Sequence, residues 1–122
     1  MRPAVLAFLV DALLVLVFVL VGRASHDENP VLGALVTYWP FLVALALGWA
    51  IARAWKTPFP VLRSGVPIWI VTVAVGMLLR ALSDQGVQVS FVIVTSVVLG
   101  VFLLGWRGAA RLVGARRRAR VG

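Results

Sequence analysis

Four long apolar runs dominate the chain, and short polar clusters separate them. A helix that crosses a membrane needs ~20 mostly apolar residues, because the hydrocarbon core is ~30 Å thick and each residue rises ~1.5 Å. The runs predict four such helices, at about 3–23, 34–54, 66–83 and 87–109. The first is interrupted only by Asp11, and the third carries Arg80 near its end. The connections have ordinary loop chemistry. Ser25-His26-Asp27-Glu28-Asn29-Pro30 is polar and ends in a proline, which disfavours helix just before it. Thr57-Pro58-Phe59-Pro60 is stiff and extended, and Ser83-Asp84-Gln85-Gly86 is a short turn. The expected architecture is all-α: a polytopic integral membrane protein, an antiparallel bundle of four transmembrane helices in one domain, 1–109. Residues 110–122 then form a basic tail, flexible or lipid-associated.

Composition narrows the function classes. Of 122 residues, 62% are hydrophobic and 13% charged, with a mean hydropathy of +1.05. Ordinary soluble domains are ~45–50% apolar and ~25% charged, so a soluble globular enzyme is excluded, and so is a disordered chain. There is no cysteine and a single histidine, His26. A disulfide, a thiolate nucleophile and a histidine-cluster metal site are therefore out of reach within one chain. No metal, no cofactor and no enzymatic activity are expected.

The net charge of +8 would suggest nucleic acid in a soluble protein. Here the basic residues flank apolar runs, and no nucleic-acid partner is expected. Arg2, the second connection (Arg53, Lys56, Arg63) and the stretch from Arg107 onward hold ten of the twelve basic residues. Cytoplasmic segments collect Lys and Arg, so both termini should face the cytoplasm. The first run starts after Arg2 and meets Gly22-Arg23-Ala24, which loosely resembles a signal-peptide cleavage site. It is longer than the ~7–15 residues of a signal core and contains Asp11, so it is expected to stay as a helix.

Asp11 is the most informative residue. Eight residues beyond Pro3, it lies about 12 Å along its helix, near the middle of a bilayer. A carboxylate there costs about 2.5–3.5 kcal/mol on insertion scales and should face the bundle interior. The candidate is an interior polar track of Asp11, Thr72, Thr95, Ser96 and Arg80, opening outward near Arg23 and His26. Such a track is either a proton or cation site, or a structural aspartate bonded to hydroxyls or to an arginine. Five tryptophans and Tyr38 sit mostly near span ends, as interfacial anchors do. Ala44, Gly48 and Ala52, with Gly76 and Gly100, offer small surfaces for close helix packing, within one bundle or in a dimer. Arg116, Arg117, Arg118 and Arg120 suit anionic lipid headgroups, at about 1 kcal/mol per basic residue.

Several short motifs stand in order along most of the chain: Asp11, Gly22-Arg23-Ala24-Ser25-His26-Asp27, Trp39-Pro40-Phe41, Gly48-Trp49, Arg53 to Pro58, Trp69-Ile70-Val71-Thr72, Gly76-Met77-Leu78-Leu79-Arg80 and Gly105-Trp106-Arg107. Together they resemble a bacterial membrane-protein family, the domain of unknown function 3054 family. The resemblance implies four spans in a bacterial cytoplasmic (inner) membrane and supplies no activity, ligand or catalytic residue. Function must then come from the residues. The leading expectation is an accessory, assembly or interaction subunit of a membrane complex. The alternative is a small homo-oligomeric transporter or channel component with its acidic site at Asp11. A lipid-modifying enzyme fits least, since no nucleophile–base pair is present. The expected partners are the bilayer, anionic headgroups, and either further copies of the chain or another membrane protein.

Overall fold

The computed structural model describes residues 2–23 and 30–121. It is all-α among those residues: α1 (Pro3–Arg23), α2 (Pro30–Ala52), α3 (Val66–Leu82) and α4 (Val89–Val121). A single π-helical turn, Val61–Gly65, runs straight into α3. All four helices are long and apolar enough to cross a membrane. His26, and the side chains of Arg23, Arg118 and Arg120, lie outside the described residues.

Side-chain contacts fix the relative directions of the helices. Phe8 meets Trp49 and Phe18 meets Phe41, so α1 and α2 are antiparallel. α2 and α3 form the tightest pairing. Two glycines explain its closeness. A Cβ on Gly48 would stand 3.2 Å from the Ile68 Cα, and one on Gly76 would stand 2.5 Å from the Phe41 ring. Gly100 similarly makes room for the Trp69 ring, at 3.2 Å. Ala44 is fully buried and Ala52 half-buried. In lipid, where hydrophobic transfer gives helices little reason to associate, such close backbone approach supplies the packing attraction. The small residues seen in the sequence therefore seat helices of the same chain.

Two helix ends are closed alike. Ala54 N–H donates to the Trp49 carbonyl and Arg53 N–H to the Ala50 carbonyl, with Arg53 at φ 52°. Gln85 N–H donates to Arg80 and Asp84 N–H to Ala81, with Asp84 at φ 59°. Both are Schellman caps, and both place a residue with a side chain at the left-handed position that glycine usually fills.

The fourth helix departs from expectation. The tail expected from residue 110 continues α4 as helix to Val121. Alanine and arginine are strong helix formers, no proline interrupts this stretch, and single glycines cost only about 1 kcal/mol each. At ~1.5 Å per residue the 33-residue α4 is about 50 Å long, well over a hydrocarbon core of ~30 Å.

Candidate functional site

Asp11 is completely buried, and its carboxylate is fully engaged. Arg107 of α4 meets it end-on: Nη1 donates to Oδ1 at 2.7 Å and Nη2 to Oδ2 at 2.7 Å. Trp106 Nε1 donates to Oδ1 at 2.7 Å, and Trp49 Nε1 donates to Oδ2 at 2.8 Å. A carboxylate has about four lone-pair positions, and four donors fill them here.

Arg107 is equally buried. Its Nε donates to the Pro58 carbonyl at 2.8 Å, and Nη1 also donates to the Leu103 carbonyl at 3.0 Å. Four of the five guanidinium N–H groups are thus used. The cation also lies 4.8 Å from the centre of the Trp106 ring.

Local structure makes this arrangement accessible. Trp106 and Arg107 are adjacent, so one turn of α4 carries both a neutral and a charged donor. Phe59 packs edge-on against Trp106, with ring centres 6.0 Å apart, and fixes the connection that supplies the Pro58 carbonyl. Ser64 Oγ donates to the Thr57 carbonyl and ties the two ends of that connection together. A Cβ on Gly65 would come within 3.1 Å of the Arg107 Cδ, so the bare glycine gives the arginine stem its passage. Excluded from water, the ion pair has the good geometry and the added hydrogen bonds that buried charges need to offset their desolvation.

This placement corrects several expectations. Asp11 lies two residues from the midpoint of α1, but its partners reach it from one end of the bundle. Its partner Trp49 is three residues from the end of α2, and Arg107 also donates to the connection just beyond, so the cluster spans from Asp11 to that end. Its cation is Arg107, counted in the sequence as a flanking charge, and not Arg80. The polar track does not assemble as hydrogen-bonded partners of Asp11. Thr72 and Thr95 are buried, and their hydroxyls have no hydrogen-bond partner. Ser96 Oγ bonds within α4, to the Val92 carbonyl at 2.7 Å, and its own carbonyl accepts from Trp69 Nε1 at 2.9 Å.

Arg80 stands at the opposite end. It donates to the Gln85 and Gly86 carbonyls at 3.2 and 3.3 Å and to the Gln85 side chain at 3.2 Å, and it covers the Phe91 ring at 4.5 Å. A cavity of about 570 Å³ opens there, with Phe18, Thr37, Arg80, Gln88 and Ser90 among its walls. Tyr38 bonds to the Ala12 carbonyl, so three tryptophans and the tyrosine spend their polar tips inside the bundle. Trp39 and Trp55 remain exposed, as interfacial anchors would be. Arg116 and Arg117 are exposed on α4. Among the described residues no three His, Cys, Asp or Glu side chains gather as metal ligands would.

The family described as "Protein of unknown function (DUF3054)" matches residues 8–110, which include all four side chains of the Asp11 cluster. The match covers most of the chain, and the chain belongs to this family. No curated protein matches it, and no solved structure does.

Proposed function

We propose that this member of the DUF3054 family is a non-enzymatic accessory, assembly or interaction subunit of a membrane complex, with Asp11 acting as a structural clasp. One observation carries the reading: all acceptor positions of Asp11 are occupied by donors from α2 and α4, in a place closed to solvent. A coupling carboxylate must exchange a proton or cation with the two sides of the membrane. This one would first have to part from a bidentate arginine and two indoles. The bundle is thereby a fixed body, and much of its apolar helical surface is left for lipid or for a neighbouring protein. In this reading the termini face the cytoplasm of a bacterial inner membrane, because the exposed cations gather at the Asp11 end.

The test has two arms. Full-length tagged protein, purified from its native membrane in mild detergent, should hold a second membrane protein at fixed stoichiometry. In proteoliposomes it should give no proton flux, with or without Asp11→Asn. A homo-oligomer whose flux disappears in Asp11→Asn would reject the clasp and establish the alternative, a small homo-oligomeric transporter or channel component. Two unbonded interior hydroxyls, Thr72 and Thr95, favour that second reading, since buried polar groups without protein partners commonly hold water.

A further inference from the structure

The Asp11 end carries a second feature that the clasp does not use. Between the Phe59–Val61 connection and the projecting part of α4 lies an open groove of about 820 Å³. Its walls are Phe59 and Val61 on one side and Gly108, Arg111, Leu112 and Gly114 on the other. Twenty residues from Val89, enough for a ~30 Å core, end at Gly108, so the groove begins where hydrocarbon gives way to headgroups. Its lining is nevertheless mostly apolar, and Leu112 is 57% exposed.

The charge around it has one sign. Arg53, Lys56, Arg63, Arg111, Arg116 and Arg117 are all exposed at this end. The acid the bundle places there among the described residues, Asp11, is already consumed by Arg107. An apolar trough at headgroup depth, with Arg111 in its wall and a cationic surround, is complementary to a molecule that carries both alkyl chains and a phosphate. We infer that the groove binds one anionic phospholipid of the surrounding leaflet, with its phosphate at Arg111 and its upper acyl chain along Phe59, Val61 and Leu112. Arg111, Leu112 and Gly114 lie just beyond the residues the family matches, and Phe59, Val61 and Gly108 lie within them. The inference is independent of the accessory reading, and its test does not use Asp11.

Full-length protein in neutral detergent is titrated with dioleoyl phosphatidylglycerol and read by native mass spectrometry. Dioleoyl phosphatidylcholine, with the same chains and no net charge, and inorganic phosphate, with charge and no chains, are the comparison probes. The expected result is a single retained phosphatidylglycerol that neither comparison probe displaces. Arg111→Gln should weaken it about fivefold, the equivalent of one basic residue near a membrane surface. Gly114→Leu should abolish it by filling the trough; no atom stands within 4 Å of a Cβ there, so the helix itself is undisturbed. Gly105→Leu, at an equally open position outside the lining, should leave binding intact. Equal retention of phosphatidylcholine, displacement by phosphate, undiminished binding in both groove variants, or a dimer mass in place of the lipid adduct would each overturn the inference.

Discussion

Arg107 and Arg80 are both arginines on helices of an apolar bundle, and the two ends of the molecule treat them differently. Arg107 is sealed from solvent and gives most of its donors to one carboxylate and two carbonyls. Arg80 is half-exposed, spreads over neutral oxygens of the α3–α4 turn and rests on Phe91. The difference is one of replaceability. At those neutral carbonyls, beside an open cavity, water can take the guanidinium's place. A carboxylate sealed under a connection has no such substitute, so its cation becomes indispensable.

The contrast can be broken by substitution. The largest effect is expected for Arg107→Met, which strands the Asp11 carboxylate; losing one partner of a buried pair costs about 3–5 kcal/mol. Reversible unfolding in mixed detergent would measure it, and the double variant Asp11→Asn with Arg107→Met should lose less than Arg107→Met alone. A loss under ~1 kcal/mol for Arg107→Met would show that water reaches the site. Next comes Trp49→Phe, which keeps the ring beside Phe8 and deletes one donor to Asp11. Hydrogen bonds to charged groups contribute about 1.5–3 kcal/mol, and the same unfolding measurement should show a loss in that range.

Arg80→Met should cost about 1 kcal/mol, from its cation–π contact and neutral hydrogen bonds. If it matched Arg107→Met, the two ends would be equivalent after all. The smallest effects should come from the caps that both ends share. Arg53→Gly and Asp84→Gly should each stabilise by about 0.5 kcal/mol, since relief of a left-handed backbone that side chains resist is partly offset by the chain entropy of glycine. Their similarity in thermal melts would place the asymmetry of the ends in their charges and not in their turns.

Much of the fold was legible because hydrophobic length is a strong signal. The four apolar runs correspond to the four helices, and Gly48, Gly76 and Gly100 were readable as contact points. Asp11 stood out because a lone acid in a long apolar run has few ordinary explanations. Its partner did not, for a reason of geometry. Depth counted from Pro3 places Asp11 near mid-membrane and points to cations inside the spans, whereas Arg107 comes in from the edge and the connection folds over it. A count of charges offered a clue: Trp106-Arg107 presents a cation and an indole donor side by side at the end of the last run. The Pro58 carbonyl and the gap left by Gly65 were beyond reach, since backbone oxygens and missing atoms leave no mark in a residue pattern. The length of α4 is not apparent from the sequence because a run of arginines reads as a solvated tail, although helix propensity alone permits it to stay wound.

The clasp also has a consequence in time. Its two charged members are separated by 96 residues, nearly the whole chain. At synthesis rates of about 5–20 residues per second, Asp11 waits roughly 5–20 seconds before Arg107 exists. During that interval the first helix carries an acid without the cation that meets it in the finished bundle. Copies that end before α4 never leave this state, so truncated chains carry a chemical mark that finished ones conceal.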